Sequence, residues 1–504
     1  MGIGPPRLEK YSRLLSRLFE FLALFHILKR IDGPHVVTSQ VPTDFQGTRR
    51  RFLKSLSFVC DYRKGGDTTT SIALESRQGG VVFWIAANLT PNDDVLAFLS
   101  EILGDLRRGL NATEIDREAL KDSLTRRSVQ FAAPRLRKEC GLLVRAARSC
   151  ENYLIANIET IQTAGEIDVV RMKRDTTNGR IGVITLLNWL SQFSYANRAD
   201  PFALCQAAYN ARHDPQMTTL QALNQELSVA PQGTAEPFRT VRHFVGRLAE
   251  RVRVPANLVH DSHFLRSLLN SYEIRRVEAP NAAKAPISDN LRNLDSIIKR
   301  MLPAGDSRLE DIQSYIERLD GPMKLEDAIR AQYDDEGKPQ NVHAEIQMLE
   351  EFHRNKRIFV EHDRYIACSK LACLCCKFYF RFHPGRFVEP ESHQKTYLTW
   401  RPIDLPGLGE DEHWTDQRRV LGMLSAELRT AVEEHIVTQQ QPTPWQPDSA
   451  TNITTTMNSL NLVEVEEMFE SGDGASDAHL NEDDSDGEFG DSEDESDGGA
   501  GLED

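Results

Sequence analysis

Two short motifs in the last third of the chain contain residue types that can hold a metal ion and move a proton. His343 and Glu345, separated by one alanine, form the first, and Cys373 and Cys376, the outer members of a C-L-C-C run, form the second. One neutral imidazole and two thiolates suit Zn²⁺, and three protein ligands leave a fourth position open for water. The motifs therefore predict a zinc site at His343, Cys373 and Cys376.

The chemistry expected of this site is hydrolytic. Zinc lowers the pKa of a bound water to about 7, which produces hydroxide at neutral pH. If that water is to stay, Glu345 is not a fourth ligand. Beside the metal, its carboxylate can take the proton of the water and return it to a ring nitrogen or to a leaving amine. The pattern therefore predicts Glu345 as the proton-transfer residue.

The elements that must position these side chains are two helices. Each motif lies at the predicted start of a helix, and a predicted strand, Tyr365–Ser369, leads into the second motif. Cys373 and Cys376 are three positions apart, so at a helix start they share one face. The positive end of the helix dipole then favours their thiolate forms. This placement predicts that both thiolates can reach one metal ion.

Other arrangements of the cysteines stay open at the level of sequence. Cys375 is adjacent to Cys376, so a different pair of thiolates is available, and Cys375 and Cys368 are themselves interpreted as buried core residues. A fourth protein ligand would close the site and make the metal structural. The candidates for that ligand are Cys368, His353, His362 and His383. Buried cysteines without any metal are the remaining alternative.

Residues near the two motifs are weaker candidates for substrate binding. Asn341 either hydrogen-bonds a substrate or caps the helix that follows, and capping is favoured because asparagine is a common N-cap residue. Ser369 and Lys370 are predicted to orient the substrate or the metal-binding loop. Four further basic residues could attract phosphate but are interpreted as solvated charges: Arg381, Arg386, Lys395 and Arg401.

H-x-E followed by C-x-x-C is the signature of zinc deaminases, and this sequence resembles the cytidine deaminase-like superfamily. The run from Ser369 to Cys376 is similar to a largely fungal branch with an S-K-x-x-C-x-x-C motif. The downstream S-H…K…W-x-P pattern of that branch is matched by Ser392-His393, Lys395, Trp400 and Pro402. The resemblance implies a three-layer α/β/α fold, zinc on the predicted ligands, and hydrolytic removal of an amino group from a nucleobase.

Two departures from the better-known members limit what the resemblance implies. Ala372, rather than proline, precedes the first cysteine, so the geometry of the substrate loop does not transfer. Those enzymes also have a β-hairpin directly before the H-x-E helix, whereas Met323–Gln340 is predicted to be a helix and a polar loop. One hypothesis is that the hairpin predicted at Ile72–Ala86 completes the sheet across a long helical insertion. The other is that the hairpin is lost.

The chain is predicted to have four parts. Residues 1–110 form an α+β region that contains the hairpin, 111–322 a large, mainly helical region, 323–437 the α/β zinc deaminase-like domain, and 438–504 a disordered acidic tail. Breaks are predicted inside the helical region at Pro201, Pro231, Pro255 and Pro303. Short strands are also predicted at Ile358–Val360, near Phe387 and at Tyr397–Trp400, and a closing amphipathic helix at Asp416–His435.

The amino-acid composition limits the classes of protein to which this chain can belong. With 504 residues, 40% hydrophobic and 27% charged, the chain is globular, and eight cysteines are too few for a secreted disulfide scaffold. The net charge of −15 belongs to the tail: residues 464–504 hold 18 acids and no lysine or arginine, which leaves 60 basic against 57 acidic residues elsewhere. The predicted location is intracellular, cytoplasmic or nuclear, with no signal peptide or membrane segment, because the apolar stretch Leu18–Leu28 is too short to span a bilayer.

Two functions from different classes follow from these features. The first is a Zn²⁺-dependent hydrolytic deaminase acting on a nucleobase in a nucleotide or nucleic acid. The second is a non-catalytic interaction protein with a structural zinc in the same fold. An apolar-acidic patch at 458–470 could dock into a protein partner or cover its own domain, and the acidic tail could mask a basic surface.

Overall fold

The structure, a computed structural model, describes residues 8–27, 44–157, 179–196, 200–227, 235–287, 294–302, 305–334 and 339–438. The tail predicted from residue 438 onward, with its 458–470 patch, lies beyond these residues except for Thr438 itself. Within the described residues, no helix is both long enough and apolar enough to cross a membrane.

Helices make up most of the described chain. Those before the last third are α1 (Lys10–Ile27), α2 (Phe45–Cys60), α3 (Asp93–Arg108), α4 (Glu114–Phe131), α5 (Ala133–Ala156), α6 (Gly179–Ser194), α7 (Pro201–Ala211), α8 (Gln216–Leu227), α9 (Glu236–Ser262) and α10 (Arg266–Asn270). The later ones are α11 (Leu294–Met301), α12 (Leu309–Met323), α13 (Leu325–Asp334), α14 (Ala344–Arg354), α15 (Leu374–Phe382) and α16 (Trp414–Thr438). The mainly helical region predicted before the metal-binding motifs is confirmed.

In the described part of the chain, a four-stranded sheet joins distant parts of the sequence. Its strands are β1 (Thr70–Arg77), β2 (Gly80–Ala87), β3 (Tyr272–Arg276) and β4 (Ala367–Cys368), in the order β3-β2-β1-β4. β1 and β2 form the predicted antiparallel hairpin, with Gly79 at φ 89 in its turn. β1 also pairs antiparallel with β4, which places Ser71 opposite Cys368. The hypothesis that the early hairpin completes the sheet of the metal-binding domain is therefore confirmed.

The two faces of the sheet bury different cores. Successive side chains of a strand point to opposite faces, so Ile72 and Leu74 face one layer while Ala73 faces the other. On the first face, Ile72, Leu74, Phe83 and Ile85 pack with α2, α3 and the C-terminal half of α9. On the second, Ala73, Val82, Trp84 and Ala86 pack with α1, α14, α15 and α16. The predicted three-layer α/β/α arrangement is confirmed.

α9 connects the helical region to the sheet. Its first half contributes Phe238, Phe244 and Leu248 to a separate helical core, and its second half contributes Val254 and Leu258 to the core under the sheet. The break predicted at Pro255 is wrong, because this proline lies inside α9, where buried neighbours on both sides hold the helix together. The break at Pro201 is confirmed, since it begins α7. Pro231 and Pro303 lie outside the described residues.

Several strand predictions near the metal-binding motifs are wrong. Ile358–Val360 forms only one bridge, between Phe359 and Glu75, and then turns into a short 3₁₀ helix. The positive φ of Glu361 and His362 ends the extended run there. Neither Phe387 nor Tyr397–Trp400 forms a strand; Trp400 makes an isolated parallel bridge to Asn341. The strand predicted at Tyr365–Ser369 is reduced to two residues, and β3 falls in a region predicted as helical.

Candidate metal centre

The three predicted ligands meet where two helices begin. His343 is the N-cap residue of α14, and Cys373 is the N-cap residue of α15, both with extended backbone angles. The Cys373 sulfur accepts a hydrogen bond from the backbone N–H of Cys376 at 3.4 Å, as a capping side chain does. Two helix starts therefore deliver one imidazole and two thiol groups to the same point.

The spacing of the ligand atoms fits a tetrahedral metal. The Nδ1 atom of His343 lies 3.6 Å from the sulfur of Cys373 and 3.5 Å from that of Cys376. Zinc bonds of about 2.05 Å to nitrogen and 2.3 Å to sulfur at a tetrahedral angle separate the two ligand atoms by about 3.6 Å. All three ligand atoms lie within 4.8 Å of one another. This donor set can hold a metal ion and is the set that zinc prefers.

None of the alternative ligands joins this group among the described residues. Cys368 points its sulfur at Glu345 Oε2, 3.8 Å away, and Cys375 is fully buried beside the ligands. His353 and His383 pack against each other, with ring centroids 4.5 Å apart, at the other end of the same helices. Among the described residues, the one group that could hold a metal ion is therefore His343, Cys373 and Cys376, which we call the metal-binding group.

The pKa values of the three thiols in the second motif are shifted in different directions. Burial opposes the ionisation of Cys373, but hydrogen bonds from the Cys375 and Cys376 thiols, together with His343, hold its pKa well below the usual range. Burial raises the pKa of Cys375 and Cys376, and the neighbouring Cys373 raises them further. Without a metal, one thiolate is thus stabilised by its two neighbours.

Glu345 lies in the first turn of α14 and is 4% exposed. Burial raises the pKa of its carboxyl group; the charge of His343 lowers it, and that of Cys373 raises it again. A carboxyl group with a raised pKa takes up and gives back a proton closer to neutral pH than an exposed one. This placement suits proton transfer at the metal-binding group.

An open pocket lies over this group. Its volume is about 590 Å³, including the solvent at its mouth. His343, Glu345 and Cys373 form one part of its wall, and the predicted Asn341 and Lys370 form another. The remaining lining residues are Gly66, Asp67, Thr69, Asn88, Leu371, His393, Tyr397 and Thr399.

The cap of α14 comes from the hairpin rather than from Asn341. The backbone N–H of Ala344 donates to Asn88 Oδ1 at 2.8 Å, and Asn88 Nδ2 donates to the carbonyl oxygen of Gly66 at 2.8 Å. Asn341 instead pairs through its backbone with Thr399. The capping role predicted for Asn341 is therefore wrong, because the end of β2 already satisfies the helix. Its side chain contributes to the pocket wall.

Ser369 and Lys370 fasten the loop that forms one rim of the pocket. The Ser369 hydroxyl accepts a hydrogen bond from the Thr70 backbone N–H at 3.0 Å and lies 3.4 Å from Asp61 Oδ2. Lys370 Nζ donates to the carbonyl oxygen of Gly65 at 3.0 Å. Arg135, from the helical region, reaches the same Asp61 carboxylate at 3.1 Å. The hairpin region thus holds the rim directly, and the helical region supports it through the shared Asp61 carboxylate.

The four basic residues after the second motif divide into two pairs. Arg381 and Arg386 are exposed, as their interpretation as solvated charges requires. Lys395 and Arg401 are 3% and 7% exposed, so that interpretation is wrong for them. Arg401 donates to the carbonyl oxygen of Asn281 and to the carboxylate of Asp404. Because its guanidinium group has these protein partners, Arg401 can be buried away from solvent.

The segment that contains both motifs is similar to a known protein family. Residues 342–404 match the family model described as OTT_1508-like deaminase. This segment is therefore similar to the deaminase domains that the model describes. The family is part of the cytidine deaminase-like superfamily. No curated protein and no solved structure gives a significant match to the chain.

The deaminase segment does not contain the whole pocket. Asp67, Thr69 and Asn88 lie in the hairpin region, more than 250 residues before the first motif. Of the four strands of the sheet, only β4 falls within 342–404. The metal-binding group therefore comes from the segment that matches the family, while part of the pocket wall and most of the sheet come from elsewhere.

Proposed function

We propose that this protein is a zinc-dependent hydrolytic deaminase that removes an exocyclic amino group from a nucleobase, in a nucleotide or in nucleic acid. The observation that carries the proposal is the convergence of His343 Nδ1 and the sulfurs of Cys373 and Cys376 at tetrahedral spacing, next to buried Glu345 and facing an open pocket. The deaminase family match of the same segment supports it.

His343, Cys373 and Cys376 would hold the metal, which supplies a nucleophilic hydroxide at neutral pH when bound. Glu345 accepts the proton of the attacking water at a carboxylate oxygen. It then delivers that proton to the ring nitrogen next to the carbon under attack. As the carbon–nitrogen bond breaks and the new hydroxyl group becomes a carbonyl, Glu345 takes the proton of that hydroxyl and gives it to the departing amino group, which leaves as ammonia. One carboxyl group carries all of these transfers because it lies on the same wall as the ligands.

The remaining pocket residues provide surfaces for a planar base. The Tyr397 ring lies edge-on to both His343 and His393, with centroid separations of 5.9 and 5.8 Å. Its aromatic surface offers stacking, which is worth about 1–3 kcal/mol per base in nucleic-acid-binding proteins. Asn341 and Thr399 offer hydrogen-bonding groups to the edge of the base or to the sugar, and Lys370 adds positive charge near a phosphate.

The test combines metal content with product release. Purified protein should contain about one zinc ion per chain, with one nitrogen and two sulfur ligands and one exchangeable oxygen by X-ray absorption. It should release ammonia from at least one member of a panel of cytosine, adenine and guanine nucleosides, nucleotides and single-stranded oligonucleotides.

The same measurements separate the enzyme from a non-catalytic interaction protein. Four protein ligands without an exchangeable oxygen would make the zinc structural and end the catalytic proposal. In that case Cys373→Ser should unfold the domain, while Glu345→Ala should have no functional effect. In the enzyme, Glu345→Ala should abolish ammonia release and leave the zinc in place.

A further inference from the structure

A tryptophan outside both motifs contacts one of the metal-binding sulfurs. The indole Nε1–H of Trp400 donates to the sulfur of Cys376 at 3.1 Å. Trp400 is 1% exposed and Cys376 is fully buried, so this hydrogen bond is made without water. Trp400 does not line the pocket over the metal-binding group and therefore does not contact a substrate there.

The chain fixes this indole relative to the other ligand. Trp400 forms a parallel bridge with Asn341, two residues before His343. The backbone N–H of Asn341 donates to Thr399 O at 2.7 Å, and the N–H of Arg401 donates to Asn341 O at 3.1 Å. A donor to one ligand is thus attached through backbone pairing to the segment that carries another.

The chemistry of this contact favours an ionised sulfur. Indole N–H is a donor only, and a neutral thiol is a weak acceptor. A hydrogen bond to a charged acceptor is about twice as strong as one between neutral groups. A buried N–H that lacks a strong acceptor is costly, so Trp400 is best satisfied when Cys376 is a metal-bound thiolate.

We propose that Trp400 is a positioning residue for the metal: it holds the Cys376 thiolate in place and withdraws part of its negative charge. The inference rests on the proposed metal site but not on the proposed reaction. Residues that hydrogen-bond metal ligands typically change metal affinity by about 10–100-fold when they are replaced.

The test replaces the indole by a ring without a donor. Trp400→Phe should weaken zinc binding by about 10–100-fold in competition with a chelator at fixed pH. In the Co²⁺-substituted protein, its sulfur-to-metal charge-transfer band should move to lower energy, because the sulfur regains electron density. Neither readout depends on activity.

Trp84→Phe is the matched control. The indole N–H of Trp84 is also buried and donates to Glu75 Oε2 at 2.8 Å, away from the metal-binding group. This variant loses the same kind of hydrogen bond and should keep wild-type zinc affinity and the wild-type cobalt spectrum. A folded Trp400→Phe protein with both of these properties unchanged would overturn the proposal.

A measurement on the wild-type chain keeps the proposal testable if Trp400→Phe does not fold. With ¹⁵N in its five tryptophans and ¹¹³Cd in the site, one indole proton should show coupling to the metal through the Cys376 sulfur. The absence of such coupling from all resolved indole signals would contradict the proposal. Wild-type protein that binds neither zinc nor cadmium at these residues would instead refute the proposed metal site itself.

Discussion

Two buried glutamates on α14 have opposite electrostatics, although they lie five residues apart. Glu345 faces the metal-binding group at the helix start, and its pKa is raised by burial. Glu350 lies further along the helix, and although burial raises its pKa, hydrogen bonds and charges from His383, Arg354 and Tyr379 lower it to about 2. Both residues are 4% exposed. Burial alone therefore does not decide which carboxylate can exchange a proton.

The partners explain the difference. Glu350 Oε1 accepts from the Tyr379 hydroxyl at 2.5 Å, its Oε2 accepts from Arg354 Nε at 2.7 Å, and His383 Nε2 lies 3.6 Å away. Near Glu345, burial raises the pKa, the charge of His343 lowers it and that of Cys373 raises it. The same pair of helices thus holds one carboxyl group whose pKa is lowered at one end and one whose pKa is raised at the other.

The largest effect is expected from a substitution of Glu345. Glu345→Gln should reduce ammonia release by at least about 10³-fold, because the amide cannot accept and return a proton. Zinc content and the melting temperature should stay close to wild type. Activity is measured as ammonia release, and metal as bound zinc per chain. Activity within tenfold of wild type would remove Glu345 from the reaction.

Glu350→Gln should have the opposite profile. Removing one member of a buried, hydrogen-bonded charge group leaves Arg354 and His383 without their anion, and should lower the free energy of unfolding by about 2–4 kcal/mol. Urea unfolding of the zinc-loaded protein measures this loss. At temperatures where the variant is folded, its ammonia release should be close to wild type. A stable but inactive Glu350→Gln would show that the two ends of the helix are not separate.

The lowered pKa of Glu350 also predicts how the stability of the protein depends on pH. A folded-state pKa near 2, below the unfolded value of about 4.3, means that Glu350 stabilises the protein fully above the unfolded pKa, and that this stabilisation is lost as the pH falls towards about 2. The difference in unfolding free energy between wild type and Glu350→Gln should therefore shrink between pH 5 and pH 2.5. A constant difference over this range would contradict the role of its charge.

The smallest expected effect concerns the helix start that carries Glu345. Asn88→Ala removes the cap of α14 and should cost about 1 kcal/mol in urea unfolding. Asn88→Asp keeps an acceptor for the Ala344 N–H and should recover most of that stability. Because Asn88 also lines the pocket, both variants are compared by stability. If alanine and aspartate behave alike, the cap is not the source of the effect.

The three candidate ligands could be predicted from the sequence because the motifs that contain them are short and local. The spacing of Cys373 and Cys376 and the H-x-E motif need only a helix start each, and α14 and α15 begin where the motifs predict. The hairpin was recognisable from its own turn. That it completes the sheet was one of two hypotheses, the other being that the hairpin is lost, and its pairing with β4 confirms the first. These inferences depend on short stretches of chain.

The features that could not be predicted depend on contacts between residues far apart in the sequence. Asn88 caps a helix 256 residues later, and no pattern around Asn88 marks that role. β3 is five residues long inside a helical region, although Tyr272 and Ile274 alternate with charged neighbours as an edge strand does. Arg401 is buried because the carbonyl oxygen of Asn281, 120 residues earlier, and the carboxylate of Asp404 accept its hydrogen bonds.

The order of synthesis gives the β1–β4 pairing a kinetic consequence. Ser71 and Cys368 lie 297 residues apart, so at about 5–20 residues per second the hairpin waits roughly 15–60 s for its partner strand to be translated. Such non-local pairing folds slowly and leaves a strand edge exposed in the meantime. A fragment that starts at residue 323 or 342 would carry all three candidate ligands but only one of the four strands of the sheet, so it would lack the hairpin that completes the fold.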